Sequence, residues 1–99
     1  MKNVQGKSLS VEEAQGIATQ ALVQLSQDPE QVGRFLAFSG IGPDQIRDAA
    51  SEPGFLAGVL EFYMMDEALL LAFCENAGLR PTMMAAARYA LAGGPEYDA

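Results

Sequence analysis

The apolar residues of this chain recur at intervals of three and four positions. The clearest stripe consists of Ala14, Ile17, Ala18, Ala21, Leu22 and Leu25. Because an α-helix completes a turn every 3.6 residues, this spacing places all six side chains on one helix face. No segment shows the strict alternation of apolar and polar residues that is typical of a strand. The pattern predicts an all-α fold.

Capping signals divide the chain into about six short helices. Ser10 and Glu13 form a capping-box pattern that begins helix 1. The predicted starts of the later helices are Asp28-Pro29, Pro43, Pro53, Asp66 and Pro81. Helix 5, at about residues 67–77, is apolar on nearly every side. We therefore expect it to be central and buried.

One motif occurs twice, 38 residues apart, at residues 35–46 and 73–84. Both copies read F-x-x-x-x-G-[IL]-x-P-x-x-[IM]. Glycine adopts the left-handed conformation without a Cβ clash, so we expect Gly40 and Gly78 to end helices. Proline is favoured at the first helical position, so Pro43 and Pro81 should begin the next ones. We interpret both copies as structural corners and not as ligand-binding loops.

The similarity between the two halves extends beyond these corners. A shift of 38 residues also places helix 1 on helix 4, with identical pairs such as Gly16 and Gly54 or Leu22 and Leu60. This predicts two three-helix units related by an internal repeat. Shared capping chemistry would explain the corners without a duplication, and both interpretations stay open.

The composition limits the classes of function. The chain has 99 residues, 49% of them apolar, and we expect a single helical domain over residues 9–93 with a flexible N-terminus (1–8) and a flexible acidic tail (94–99). The net charge of −7 disfavours binding to nucleic acid or to anionic membranes. The longest apolar run, residues 68–74, is too short to span a bilayer. A single cysteine and the lack of a secretory signal at residues 1–7 predict a cytoplasmic protein.

The sequence contains no recognisable catalytic or metal-binding pattern. Without histidine, acid–base catalysis would depend on carboxylates, lysine, tyrosine or cysteine. Cys74 lies in the apolar helix 5, so we expect a buried structural thiol. Zinc and calcium loops are not recognisable. We expect no catalytic residues, cofactor or metal, although an enzyme that uses carboxylates stays open as an alternative.

The corners also resemble the turn of helix-turn-helix proteins, in which an apolar residue follows the glycine by six positions. Gly40 with Ile46 and Gly78 with Met84 have this spacing. The helices that follow carry few basic residues, however, and phosphate contacts supply most of the affinity of such proteins. A degenerate helix-turn-helix protein is therefore an alternative, and nucleic acid is not the partner that we expect.

The leading hypothesis is a small protein-interaction or regulatory module without catalytic activity. Four of the five methionines form the pairs Met64-Met65 and Met83-Met84, and methionine is common on adaptable binding surfaces. Met65 can pack onto Leu70 at the start of helix 5. The candidate partner surface consists of Tyr63, Met64, Met83 and Tyr89. It could bind a protein partner or a second copy, and core packing of these residues is the alternative.

Four segments carry a resemblance to a known family: Ser10-Val11-Glu12-Glu13-Ala14, Gly33-Arg34-Phe35-Leu36-Ala37, Ser39-Gly40-Ile41-Gly42-Pro43, and residues 66–74, which read DEALLLAFC. With them the chain resembles a small all-helical family found mainly in alphaproteobacteria, domain of unknown function 3572. The resemblance implies a bacterial cytoplasmic protein. The family has no established activity, so the resemblance implies no functional residues.

Overall fold

The computed structural model describes residues 9–92, and the predictions for residues 1–8 and 94–99 lie outside this range. The helices are α1 (Val11–Ser26), α2 (Pro29–Ser39), α3 (Ile46–Ala49), α4 (Pro53–Met64), α5 (Glu67–Ala77) and α6 (Pro81–Leu91), and a 3₁₀ turn, Pro43–Gln45, precedes α3. The described residues are 81% helical and include no strand. The predicted all-α fold with six helices is confirmed.

Side-chain caps mark the starts of α1, α2 and α5, whereas α4 and α6 begin at a proline without such a cap. Ser10 Oγ accepts a hydrogen bond from the Glu13 N–H at 3.0 Å, and the Glu13 carboxylate accepts one from the Ser10 N–H at 2.9 Å. Asp28 caps α2, and Asp66 Oδ1 caps α5 by accepting from the Leu69 N–H at 3.1 Å. The first N–H groups of a helix have no partner within it, so these side chains supply partners that the backbone lacks.

Glycine ends both α2 and α5 in the left-handed conformation. Gly40 has a φ of 73° and Gly78 a φ of 70°. The Gly40 N–H donates to the Leu36 carbonyl at 2.9 Å. At the second corner the Leu79 N–H donates to the Cys74 carbonyl, also at 2.9 Å, which is the long-range bond of a Schellman motif. These bonds use carbonyls that the helix ends would otherwise leave unpaired.

The helical segments after the two corners differ. Pro43 begins the 3₁₀ turn and the four-residue α3, which buries no residue, whereas Pro81 begins the eleven-residue α6. The buried residues of α6 are Met84, Ala87 and Leu91. The structure therefore does not confirm two equivalent three-helix units, and the internal repeat stays a prediction.

The core lies where α1, α4 and α6 pack against one another. Ala14, Ala18 and Ala21 are completely buried, and such small side chains allow α1 to approach its neighbours closely. The buried residues of α4 are Leu56, Ala57, Val59, Leu60, Phe62 and Tyr63. Helix α4 contacts α1, α2, α5 and α6, so it is the central helix of the described chain.

The prediction that helix 5 is central is wrong. Helix α5 buries only Phe73 and Cys74, and Leu71 is 46% exposed. An apolar sequence on every side shows that a helix could be covered, but packing partners decide whether it is. Neighbouring helices cover α5 on one face, against α4 and α6, where Leu69, Leu70 and Ala77 are also partly buried, and its apolar positions Ala68, Leu71 and Ala72 are exposed. Within residues 9–92, no helix has the length and apolar character needed to cross a membrane.

Candidate protein-interaction groove

A groove of about 370 Å³ lies where α2 faces the C-terminal end of α4. Its lining residues are Arg34, Ala37, Phe38, Phe62, Met65 and Asp66. We call it the α2–α4 groove. Two other depressions, of about 330 and 570 Å³, lie at the α1–α2 turn and around α3, and neither is lined by an exposed aromatic side chain. Of these three depressions, the α2–α4 groove is therefore the one best suited to an apolar ligand group.

Phenylalanine rings form the floor and one wall of the groove. Phe62 is 6% exposed, and its ring centroid lies 5.4 Å from that of the buried Phe35 in an edge-to-face arrangement. Phe38 lies 5.5 Å from Phe62 by the same measure, yet it is 40% exposed. Edge-to-face and tilted aromatic pairs are favourable beyond the area that they bury. Phe38 is thus held on one side by the core and open to solvent on the other.

Met65 lines the groove from the end of α4 and is 71% exposed. The predicted packing onto Leu70 therefore does not bury it. Met65 caps the last turn of α4, where its N–H donates to the Glu61 carbonyl at 3.1 Å. Its backbone continues the helical conformation, so its position is set by α4 and not by the start of α5.

An arginine and a carboxylate lie together at the mouth of the groove. Arg34 Nη1 is 3.5 Å from Asp66 Oδ2 and 3.2 Å from Gln31 Oε1. The Arg34 guanidinium carbon lies 5.8 Å from the centroid of the Phe62 ring, within the range of a cation–π contact. The Arg34 side chain remains 51% exposed. The groove thus combines an apolar floor with an ion pair at its rim.

Tyr63 does not belong to a surface, contrary to the candidate partner surface. Its side chain is completely buried, and its hydroxyl donates to the Ala21 carbonyl at 2.7 Å. Burial raises the pKa of Tyr63 to about 12. The residue therefore connects α4 to α1 within the core.

The other three residues of that candidate surface lie outside the α2–α4 groove. Met64 is 36% exposed and Tyr89 is 52% exposed, whereas Met83 is half-buried near the start of α6. None of them lines the groove. Their role in binding a partner stays a prediction.

The sequence did contain a signal for the groove. Phe38 follows Phe35 by three positions, so α2 carries a wide apolar face on a helix of only eleven residues. Such a face is broader than a short helix can bury against a single neighbour. Met65, the second exposed apolar residue that lines the groove, could not be assigned to it, because the sequence around Met65 fitted a hydrophobic staple onto α5 equally well.

The described residues offer little to the alternative functions. Residues 9–92 contain no group of three or more side chains that could hold a metal ion. Cys74 is buried as expected, and burial raises the pKa of its thiol. Helix α3, which would be the first recognition helix, has only four residues. In α6, Arg88 Nη1 lies 3.1 Å from Glu61 Oε2, so a carboxylate already pairs with this cation.

Comparisons with known proteins reach the family level. Neither the curated proteins nor the solved structures include a match to the chain. A family model described as "Protein of unknown function (DUF3572)" matches residues 11–94, which is most of the sequence. The chain therefore belongs to the DUF3572 family.

Proposed function

We propose that this protein is a small interaction module that binds a basic segment of another protein in the α2–α4 groove. The observation that supports this most is the exposure of Phe38 and Met65 in a groove that the buried Phe62 ring also lines. Aromatic residues and methionine are enriched at the centres of protein interfaces. An exposed apolar patch with a polar rim is typical of such interfaces.

The two exposed apolar residues that line the groove are suited to different parts of binding. Phe38 is already held against Phe62, so it loses little conformational freedom when a partner covers it. Met65 has a flexible and polarisable side chain that can adapt to the shape of an inserted group. Complete burial of one such apolar side chain contributes about 1.5–3 kcal/mol. The groove can therefore support a specific contact of modest area.

The charge of the protein selects the class of partner. At a net charge of −7, the protein attracts basic segments and repels acidic ones. A second copy carries the same charge, so self-association through the groove would bring like charges together. We therefore favour a basic partner over a homo-oligomer. The single cysteine supports a cytoplasmic setting for this function.

A selection from a random peptide library would test the proposal. We expect selected peptides to combine lysine or arginine with a large apolar residue and to lose binding to the variant Met65→Glu. The matched control is Val23→Glu, because Val23 is also an exposed apolar residue, lies on α1 and takes the same change in charge. This control should bind the peptides like the wild type.

Three results would contradict the proposal. The first is a peptide set that binds Met65→Glu and wild type equally well. The second is selection of acidic peptides, which would refute the charge argument. The third is a dimer, measured by light scattering, that dissociates in Met65→Glu and persists in Val23→Glu. That result would make a second copy the occupant of the groove.

A further inference from the structure

We infer that in the free protein the Arg34 guanidinium occupies the position that a cationic side chain of the partner takes in the complex. On binding, the partner's side chain displaces Arg34 from Phe62 and Asp66. The inference rests on the proposed function and adds the chemistry of recognition. The bound segment would carry an arginine or lysine next to the apolar residue that enters the α2–α4 groove. Arg34 would then set specificity by excluding segments that lack a cation.

Two fixed groups form the cation position. Asp66 Oδ1 accepts the Leu69 N–H at 3.1 Å as the cap of α5, so its other oxygen, Oδ2, has a defined direction. Phe62 is packed against Phe35 with 5.4 Å between ring centroids. Neither group depends on Arg34 for its orientation. A carboxylate oxygen and an aromatic face, the two groups that attract a cation, therefore remain in place when Arg34 leaves.

Arg34, by contrast, is held weakly. Its side chain is half exposed, and its closest approach to Asp66 is 3.5 Å. Exposed ion pairs contribute little to stability, and dissolved salt screens them. Arg34 also has another polar contact on α2, since its Nη1 donates to Gln31 Oε1 at 3.2 Å. The guanidinium can thus move away from the groove and keep water and Gln31 as partners.

Displacement of Arg34 by a cationic side chain of the partner also keeps the Asp66 carboxylate paired with a positive charge. In the free protein, Arg34 neutralises Asp66 and covers the Phe62 ring. A neutral apolar segment that pushed Arg34 aside would leave the Asp66 carboxylate unpaired beneath it, which is unfavourable. A segment with its own guanidinium or ammonium would pair with Asp66 and contact the ring, as Arg34 does now. The groove therefore discriminates in favour of a basic residue beside an apolar one.

A small dipeptide can test this position directly. The probe is N-acetyl-phenylalanyl-arginine amide, and the neutral control probe carries citrulline in place of arginine. Binding is measured from amide shifts in ¹H–¹⁵N NMR titrations of wild type, Arg34→Ala and Asp66→Asn. Asparagine is as good a helix cap as aspartate, so Asp66→Asn removes the charge and preserves the start of α5.

We expect the arginine probe to bind Arg34→Ala about three- to fivefold more tightly than wild type, because a weak internal competitor has been removed. The shifts should include the amides of Phe62, Met65 and Asp66. Asp66→Asn should bind this probe more weakly than wild type. The citrulline probe should show no gain in Arg34→Ala. Arg34→Gln, which keeps a long polar side chain without charge, should bind the arginine probe more tightly in the same way.

Equal or absent binding of the arginine probe to wild type and Arg34→Ala would overturn the inference. Weaker binding to Arg34→Ala would also overturn it, since Arg34 would then contact the ligand itself. These failures differ from a failure of the proposed function. If library peptides bind wild type and Arg34→Ala with the same affinity and lose binding to Met65→Glu, the groove binds proteins. In that case only the role assigned to Arg34 is wrong.

Discussion

Glycine has opposite effects on stability at two positions of this chain. Gly40 ends α2 with a φ of 73°, a backbone conformation that residues with a Cβ atom rarely adopt. Gly16 lies in the exposed part of α1, where glycine only adds freedom to the unfolded chain. A Cβ built on either residue meets no atom within 4 Å. Any difference between substitutions at the two sites therefore reports on the backbone and not on packing.

We predict that Gly40→Ala lowers the free energy of unfolding by about 1–2 kcal/mol, whereas Gly16→Ala raises it by about 0.5–1 kcal/mol. Gly40→Val should be at least as destabilising as Gly40→Ala, because a branched side chain tolerates the left-handed conformation less well. Urea denaturation of the variants measures these values. If Gly40→Ala unfolds like the wild type, the backbone at residue 40 does not need its left-handed conformation, and the corner interpretation is wrong.

Capping residues could be predicted from the sequence because their partners are local. The Ser10–Glu13 box closes over three residues, so the sequence alone contains both halves. Tyr63 could not be placed in this way. Its hydroxyl binds a carbonyl 42 positions away, and only the packing of α1 on α4 brings the two together. Met65 was ambiguous for another reason, since both α4 and α5 could have determined its position.

At the scale of helices, the two corners lead to elements with different roles. In the 38-residue repeat, Ile46 aligns with Met84 in the sequence. Met84 is completely buried in the core, whereas Ile46 is half-buried in α3, which contributes nothing to the core. If the two units were equivalent, substitution by alanine would lower the free energy of unfolding equally at the two positions. Because Met84 is more deeply buried than Ile46, we expect the two losses to differ.

We predict that Met84→Ala lowers the free energy of unfolding by about 2–5 kcal/mol and that Ile46→Ala lowers it by about 1 kcal/mol or less. The large value combines lost apolar burial with the cavity that the methionine leaves behind. Chemical denaturation measures both variants under the same conditions. Similar losses at the two positions would instead favour two equivalent units.

The order of burial among the helices could not be predicted from hydropathy alone. Helix α5 has a continuous apolar run, yet α4, which contains Glu61 and two glycines, is the central element. The number of neighbouring helices decides burial, and this number depends on the directions in which the chain turns. The local pattern identified the helices and most of their ends, but not their layering.

At the scale of the whole molecule, the α2–α4 groove joins parts of the chain that are distant in sequence. One side comes from residues 34–38, and the other comes from residues 62–66. Each side is an ordinary helix end when considered alone. The groove forms only when α2 packs beside α4. The methionine pairs, which are a local feature of the sequence, therefore indicated a different surface. The −7 charge, in contrast, is a property of composition and could be predicted in full.

Global stability should depend on alkaline pH through Tyr63, the buried residue whose hydroxyl connects α4 to α1. Burial raises its pKa from 10.0 to about 12, so the folded protein retains a proton that the unfolded chain releases above pH 10. The stabilisation that Tyr63 contributes is therefore complete below pH 10. It is lost as the pH rises towards 12, at about 1.4 kcal/mol per pH unit.

The variant Tyr63→Phe should isolate this contribution. At pH 7 we expect it to be about 1 kcal/mol less stable than wild type, because one buried hydrogen bond is lost while the Ala21 carbonyl keeps its bond within α1. Above pH 10 the wild type should lose stability faster, and the two proteins should become equally stable near pH 11. Cys74, whose thiol pKa is also raised, is present in both proteins and cancels in the difference. Urea unfolding at pH 7, 9, 10 and 11 measures this convergence, and a constant difference over that range would show that Tyr63 does not control alkaline stability.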